Sequence, residues 1–176
     1  MNVDEIALRR CSISDAAALS LVGSATFLEA FADLLDGESL LLHCQNQHGV
    51  ATYEKYLAQP DTQAWLAIVQ PGQGPVGYAM MTEPDLPLSD LTVDDIELKR
   101  IYLFSRFRGS GAGKLLMEQS IAAAREAKKR RLLLGVNAEN NRALAFYRKN
   151  GFVQVGVRTF QVGNRIHDDF VLGREL

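Results

Sequence analysis

A glycine-rich segment joins a predicted strand to a predicted helix in the second half of the chain, and this unit limits the fold more than any other feature. Residues 96–103 have the pattern of a strand, and three glycines follow at alternate positions: Gly109, Gly111 and Gly113. A helical pattern then runs from about residue 111 to 129, and the apolar run at 132–136 is typical of a strand covered on both faces. A strand, a helix and a strand in this order predict a parallel pair with a right-handed crossover.

Hydrophobic periodicity predicts further strands and helices on both sides of this unit. We expect strands at residues 5–10, 64–69, 76–82, 152–157 and 166–172, and helices at 14–31, 53–58 and 140–149. Gly23 should interrupt the first helix, Gly37 and Gly49 mark a looser segment, and Gly151 gives the last helix a left-handed end. The order predicts one domain over residues 1–176 that contains both helices and strands. Its fold class is α/β in the broad sense, or α+β more strictly: a mixed, mostly antiparallel sheet flanked by helices.

The composition is that of an ordinary globular protein, with 47% hydrophobic and 23% charged residues. A net charge of −2 gives no reason to expect a nucleic acid as partner. The uncharged stretch at 62–82 is broken by proline and glycine at 71–75, and residues 1–10 lack an apolar core. We therefore expect neither a membrane partner nor an export signal. The two cysteines, Cys11 and Cys44, make no disulfide framework, which favours a reducing, cytoplasmic location.

One stretch of the chain is acidic. Residues 83–97, called the acidic segment below, carry six carboxylates and no lysine or arginine. A solvated loop has this composition. An electrostatic funnel that attracts a cationic substrate has it as well. The sequence leaves both interpretations open.

A glycine-rich turn between a strand and a helix commonly binds phosphate, because its backbone N–H groups are accessible and the helix N-terminus carries partial positive charge. Arg106, Arg108 and Lys114 add cations around the turn. Two nucleotide motifs do not fit. Arg108 and Leu115 occupy positions where a P-loop requires a glycine and a hydroxyl, and Lys114 stands at the last glycine of a dinucleotide fingerprint. A purely structural turn is the alternative interpretation.

Two motifs in this region together resemble those of a known superfamily. Arg108, Gly111 and Gly113 form R-x-x-G-x-G, and residues 140–152 have the pattern N-x-x-A-x-x-x-Y-x-K-x-G-F. Both motifs, in this order, resemble those of the GNAT acetyltransferases. The segments at 25–31, 96–103 and 159–163, with Asp169, resemble the PaiA-like polyamine N-acetyltransferases, although Gln161 stands where those relatives tend to carry an aromatic residue. The resemblance implies a GNAT-like domain whose parallel strand pair borders the cofactor cleft.

The resemblance implies acetyl-CoA as the acetyl donor. In the family the R-x-x-G-x-G loop binds pyrophosphate, and the central strand pairs with the pantetheine arm as an added strand would. The residues implied in cofactor binding are Ile101, Tyr102, Leu103, Arg108, Gly109, Ser110, Gly111, Ala112, Gly113, Lys114, Asn140, Phe146 and Lys149. Asn140 can also cap its helix, and a solvated helix end explains Lys149 equally well. No metal is expected, since His43 beside Cys44 lacks the spacing of a zinc site.

Two residues are candidates for proton transfer. Tyr147 matches the family tyrosine near the CoA sulfur, which implies a general acid for the departing thiolate; packing against the sheet is the alternative role. Glu97 is the candidate base, directly or through water, and a surface carboxylate at a strand edge is the alternative. Strict alternation along the strand would place Glu97, Lys99, Ile101 and Leu103 on one face. The resemblance also implies that this strand can carry a bulge, so both orientations of Glu97 stay open. A backbone N–H of Ile101 or Leu103 is the expected oxyanion donor.

The implied reaction is acetyl transfer to a primary amine by direct attack, with a polyamine or a similar small cationic amine as acceptor. The family builds the acceptor site from the first two helices and the last two strands, here including Phe27, Glu29, Phe31 and Tyr53. Acetylation of a protein amino group or of an amino-acid-like metabolite is an alternative. A domain that senses acyl-CoA without turnover is an alternative of another class. The resemblance also implies that a homodimer can form, although no segment marks an interface.

Overall fold

The computed structural model describes the backbone of residues 5–162 and 165–176 and the side chains of residues 5–159 and 168–176. The side chain of Gln161, and Gly163 at the end of the segment 159–163, therefore lie outside this part.

The described residues contain one sheet of seven strands in the order β1-β2-β3-β4-β5-β7-β6. All neighbouring strands are antiparallel except β4 and β5. The strands are β1 (Ile6–Arg10), β2 (Gln63–Val69), β3 (Gly74–Thr82), β4 (Asp95–Leu103), β5 (Arg131–Asn137), β6 (Val153–Val162) and β7 (Arg165–Glu175). The predicted mixed, mostly antiparallel sheet with one parallel pair is confirmed.

Five α-helices of the described part flank this sheet. They are α1 (Ala16–Phe31), α2 (Gly37–Gln47), α3 (Val50–Leu57), α4 (Ala112–Glu126) and α5 (Asn141–Lys149). The apolar stripes of α4 and α5 pack on one face of the sheet, whereas those of α1 and α3 pack on the other. The acidic segment covers this second face beside β5, where Leu86 contacts Leu133. This double cover explains why β5 is apolar along both faces.

The first two helices differ from the sequence prediction. Helix α1 is continuous through Gly23, since a glycine costs a helix only about 1 kcal/mol and tertiary packing can outweigh that cost. Helix α2 occupies the segment that we expected to be loose. It begins with Asp36, whose side chain accepts a hydrogen bond from Ser39 N at 2.9 Å, but its run of adjacent leucines at 40–42 lacks helical spacing.

The parallel strands β4 and β5 separate soon after they pair. Their register runs from Asp95 opposite Arg131 to Glu97 opposite Leu133, and no later pairing occurs in the described part of these strands. The second half of β4 therefore has one edge on β3 and one open edge. The open edge leads into the glycine-rich turn and the N-terminus of α4.

A bulge in β4 changes which residues share a face. Met80 pairs with Arg100 and Met81 pairs with Leu98, so Lys99 is the extra residue. Ile96 and Leu98 before the bulge, and Ile101 and Leu103 after it, all pack toward α4. Of the two orientations left open, the bulged one is observed and strict alternation does not hold: Glu97 faces away from α4, while Ile101 and Leu103 face toward it.

Candidate active site

The glycine-rich turn leaves part of the α4 N-terminus accessible. Gly109 and Gly111 have φ values of 80° and 92°, in the left-handed region that favours glycine. Gly111 is the N-cap of α4 and has no side chain that could accept from the first turn. The Ser110 hydroxyl donates to Phe107 O at 2.6 Å and accepts from Ala112 N at 3.3 Å, which closes the turn on itself. The following N–H groups, those of Gly113 and Lys114, are therefore the ones directed toward a potential anion.

Two arginines approach each other beside this turn. Burial and the neighbouring Arg142 lower the pKa of Arg108, with Glu29 opposing them. Arg142 lies in the first turn of α5, and we did not predict it; its place two residues after Asn140, in the second motif, was the available signal. Lys114 pairs instead with Glu118 on its own helix at 3.6 Å, with both side chains exposed. An anion between Arg108 and Arg142 would relieve their repulsion.

The open edge of β4 presents two backbone donors to the same cleft. Phe104 N–H donates to Val76 O at 3.0 Å, toward β3. Because the N–H direction alternates along a strand, the N–H groups of Leu103 and Ile101 are directed to the opposite edge, which β5 has left. The side chains of Ile101, Tyr102 and Leu103 are each partly buried. An extended chain of amides can pair with this edge as an additional strand would.

Tyr147 lies on α5 within the core on the α4 side. Its ring packs edge-to-face against Phe146 and Phe152, so the predicted packing role is real. Burial, and secondarily the nearby hydroxyl of Tyr102, raise the pKa of Tyr147. No described residue hydrogen-bonds the Tyr147 hydroxyl. This hydroxyl is a neutral proton donor at physiological pH without a described partner.

The two other polar residues predicted on α5 occupy its two ends. Asn140 caps the helix, since its Oδ1 accepts from Ala143 N at 3.1 Å. Lys149 is exposed in the last turn.

The family of the chain is evident from comparison with known proteins. The sequence profile described as the acetyltransferase (GNAT) family matches residues 28–152. The chain belongs to this family. An uncharacterized N-acetyltransferase of Mycobacterium tuberculosis is 34% identical to this GNAT acetyltransferase over 164 residues, which cover 93% of this chain and 99% of the relative. A peptidyl-lysine N-acetyltransferase of Escherichia coli is 28% identical over 79 residues, covering 45% of this chain and 50% of that protein.

The fold of this GNAT acetyltransferase also resembles solved structures. The PaiA N-acetyltransferase of Thermoplasma acidophilum, crystallised with coenzyme A, aligns with a TM-score of 0.77 over 97% of this chain and 99% of that chain, at 18% identity. At this identity the similarity shows the shared fold alone.

Glu97 of this acetyltransferase is buried rather than at the surface. Its side chain is 2% exposed. Glu97 Oε2 accepts a hydrogen bond from Asp85 N at 2.9 Å and lies 3.4 Å from Lys99 Nζ. The carboxylate therefore fastens the beginning of the acidic segment to β4, on the face away from α4.

The three α1 residues predicted to bind the acceptor do not converge. Phe27 and Phe31 stack on each other, and Phe27 also stacks on His43 with ring centroids 3.9 Å apart, which joins α1 to α2. Glu29 lies on another side of α1 and accepts from Ser105 N at 2.9 Å and from Ser105 Oγ at 2.8 Å. Glu29 thus anchors the residues before the glycine-rich turn.

The acidic segment is bound to arginines at its C-terminal end. Asp95 forms ion pairs with Arg130 at 2.9 Å and with Arg131 at 3.0 Å, and Asp90 lies 2.8 Å from Arg131. Burial opposes ionisation of Asp95, but the hydrogen bonds from Arg131 and Arg130 outweigh it and hold the pKa of Asp95 well below its usual range. These carboxylates therefore stabilise the β4–β5 junction. Much of the negative charge that a funnel for a cationic substrate would need is already paired with arginines.

A polar cluster on the α1/α3 face contains Tyr53, one of the predicted acceptor residues, and the cluster as a whole was not predicted. His48 Nδ1 lies 2.9 Å from Tyr53 Oη, and Tyr53 Oη donates to Tyr78 Oη at 3.1 Å. Tyr78 in turn stacks on Tyr102 with ring centroids 5.9 Å apart. The guanidinium of Arg100 lies over the Tyr53 ring, 5.1 Å from its centroid. These residues come from three separate parts of the sequence, so no local motif marks them.

Two further observations bear on partners. None of the described helices is long and apolar enough to cross a membrane. Within the same part of the chain, no group of three or more histidine, cysteine and acidic side chains is arranged to hold a metal ion.

Proposed function

We propose that this acetyltransferase moves the acetyl group of acetyl-CoA to the primary amine of a small molecule by direct attack. One observation carries the proposal: the open edge of β4 leads directly to the glycine-rich turn and the N-terminus of α4, where Gly111 provides no capping side chain. Such an edge suits the amides of pantetheine, and such a helix end suits a pyrophosphate. The two sites occur in the order and direction that a CoA molecule requires.

The residues present fit acetyl-CoA, which supplies an activated acetyl thioester when bound. The backbone of Ile101 and Leu103 would hold the pantetheine arm, beside the Tyr102 and Phe146 side chains. The turn from Arg108 to Lys114, including Gly109, Ser110, Ala112 and Gly113, would hold the pyrophosphate on backbone N–H groups. Arg108 and Arg142 add charge there, because their mutual repulsion falls when an anion lies between them. Asn140 contributes indirectly, because its side chain caps α5. Lys149 is a candidate for binding a phosphate of CoA outside the turn.

Tyr147 is the proposed general acid. Its hydroxyl stays protonated because burial raises its pKa, and no described side chain competes for its proton. A protonated phenol can donate to a departing thiolate, a contribution of about 100-fold or more for general acid catalysis. The edge-to-face contacts with Phe146 and Phe152 hold the ring in position.

Glu97 is the proposed base, acting through water. Its Oε2 is held by Asp85 N and Lys99 Nζ. A carboxylate in this place can accept the ammonium proton through water on the face of β4 away from α4. The N–H groups of Ile101 and Leu103 are the candidates that stabilise negative charge on the carbonyl oxygen.

The acceptor class has support from two directions. Similarity to PaiA-like enzymes favours a polyamine, but the acidic segment that would attract one is largely paired with Arg130, Arg131 and Lys99. The Escherichia coli relative is named a peptidyl-lysine N-acetyltransferase, which makes a protein amino group a second candidate. The proposed acceptor is therefore a primary amine, and the acceptor assay below compares amines that differ in their other groups.

The test begins with the donor. Melting of the protein is measured with acetyl-CoA, CoA, NAD and ATP separately; a ligand at about 100 times its dissociation constant adds roughly 2.7 kcal/mol to stability. A shift with both CoA compounds and with neither of the others is expected. CoA release is then followed with a panel of amines, including spermidine, free amino acids and lysine peptides. Absence of a shift with both CoA compounds would overturn the cofactor assignment, and a shift without CoA release from any amine would favour a sensor.

A further inference from the structure

Arg100 is a buried cation whose charge is not compensated. Its residue is 9% exposed, on the face of β4 away from α4. The guanidinium lies over the rings of Tyr53 and Tyr56, 5.1 and 5.5 Å from their centroids. Its Nη1 atom has no hydrogen-bond partner in the part of the chain that the structure describes. A buried cation without an anion is costly, so such a group is normally paired when the protein functions.

The titratable groups that act directly on Arg100 are neutral at neutral pH. Its titratable neighbours are the hydroxyls of Tyr53, Tyr56, Tyr78 and Tyr102 and the imidazoles of His43 and His48. Burial, and then the charge of Arg100, lower the pKa of His43 to about 4 and that of His48 to about 3, so both rings are uncharged at neutral pH. The strongest effects on the pKa of Arg100 come from burial and from the tyrosine hydroxyls. The carboxylate that acts on this cluster is Asp169, which affects Tyr102 and is paired with Arg158 at 3.1 Å.

Arg100 is also close to the reaction site. Arg100 and Tyr102 are two residues apart after the bulge, so they share one face of β4 at a spacing of about 7 Å. The Tyr102 hydroxyl in turn lies near enough to Tyr147 to affect its pKa. His43 and Tyr56, which border Arg100, are partly exposed and connect it to the surface.

We infer that Arg100 binds the carboxylate of the acceptor, so that the substrate is an amino acid or a related small amine that carries a carboxylate. The guanidinium fork matches a carboxylate in shape and charge. A carboxylate at Arg100 would place an amine a few atoms away beside the open edge of β4. A polyamine would bring further positive charge to a cation that already lacks an anion. This inference rests on the proposed acetyl transfer.

The test compares matched pairs of acceptors with the whole chain and acetyl-CoA. The common L-amino acids, their carboxamides and spermidine are assayed by CoA release. We expect at least one amino acid to be acetylated with a kcat/KM about tenfold or more above that of its carboxamide. This comparison uses the unmodified protein, so it does not depend on how a variant folds.

Variants then assign the preference to Arg100. R100Q should lower kcat/KM for the amino acid about 10- to 100-fold, chiefly through KM, as expected for loss of a charge-assisted contact. It should also reduce the ratio between the acid and its amide toward one. R100K, which keeps the charge but loses the fork, should give an intermediate ratio. R125Q removes one exposed arginine from α4 and should leave the ratio unchanged.

The outcomes separate this inference from the proposed function. Turnover of spermidine or of carboxamides as efficiently as of amino acids would overturn the role of Arg100 while leaving acetyl transfer intact. An equal loss for acid and amide in R100Q would do the same. Failure to bind acetyl-CoA, or binding without CoA release from any amine, would overturn the proposed function and this inference with it.

Discussion

Gly23 in the middle of α1 packs directly against the side chain of Tyr53 in α3. A Cβ atom at Gly23 would collide with Tyr53 Oη and would lie 2.6 Å from His48 Nδ1. The glycine therefore allows the His48–Tyr53 hydrogen bond to lie against the helix backbone. The guanidinium of Arg100 lies over the same Tyr53 ring. The contact between Gly23 and Tyr53 therefore also fixes the position of the polar cluster.

Gly23→Ala should destabilise the protein, although alanine is the better helix former. Forcing a methyl group into this contact costs about 1–3 kcal/mol, whereas the helix gains about 1 kcal/mol. We expect the free energy of unfolding to fall by roughly 1 kcal/mol in urea denaturation. Gly37→Ala in α2 is the matched control, because nothing lies within 4 Å of its added Cβ. Equal stability of the two variants would contradict the packing role.

Asp95→Asn should destabilise the β4–β5 junction. The Asp95 side chain is fully buried and Arg131 is 8% exposed, and breaking such a pair costs about 3–5 kcal/mol. Asp94→Asn, at the exposed neighbouring position, is the control and should be nearly neutral.

The same ion pairs predict how stability depends on pH. Because the pKa of Asp95 is lower in the folded chain, its contribution is complete above the unfolded value of about 4 and is lost as the pH falls below it. Denaturant melts from pH 7 to pH 2.5 should show a smaller acid loss in Asp95→Asn than in the wild type. Parallel curves for the two proteins would show that Asp95 does not contribute to acid sensitivity.

The sequence was sufficient to predict the segment that we propose to bind the cofactor, because that segment is local. A strand, a glycine-rich turn and a helix N-terminus are consecutive in the chain, so the positions of Gly109, Gly111 and Arg108 follow from the motif. The apolar run of β5 likewise predicted a strand covered on both faces. Short-range order thus specified both the parallel pair and the turn.

The other half of the site depends on contacts between distant segments. The bulge at Lys99 has no signal in the residue pattern, yet it reverses the faces of all later β4 side chains. Arg100, His48 and Tyr53 meet only when α3 packs on the sheet. The pairing of Asp95 with Arg130 and Arg131 joins residues 35 and 36 positions apart. Charge in the acidic segment therefore could not be assigned to a funnel or a fold contact from composition alone.

Arg142→Gln should weaken CoA binding through loss of charge near the pyrophosphate. We expect the dissociation constant of CoA to rise about tenfold, within the range for a hydrogen bond to a charged group at a partly solvated site. Pantetheine lacks the pyrophosphate, so its binding should be unaffected. Calorimetric titrations of both ligands measure this, with Arg125→Gln as the exposed control. An equal loss for CoA and pantetheine would place Arg142 elsewhere.

Gly111→Val should abolish acetyl-CoA binding. The φ of 92° costs a non-glycine residue roughly 1–2 kcal/mol, and the side chain would occupy the space into which the pyrophosphate must come. Gly72→Val in the exposed β2–β3 turn is the matched control, since no atom lies within 4 Å of its added Cβ. A Gly111 variant that melts cooperatively and binds acetyl-CoA normally would refute the turn as the phosphate site.

Tyr147→Phe should separate acid catalysis from packing. Phenylalanine retains the ring that contacts Phe146 and Phe152, so the free energy of unfolding should change little. The dissociation constant of acetyl-CoA should change by less than about twofold. Loss of the hydroxyl should lower kcat about 100-fold if it protonates the departing thiolate. Because burial raises the pKa of Tyr147, the wild-type enzyme should keep its kcat up to about pH 10 without an alkaline decline from this group. Stopped-flow measurement of CoA release across pH would test both points. An unchanged kcat in the variant would leave Tyr147 with the packing role alone, and the thiolate would then depart without a protein acid.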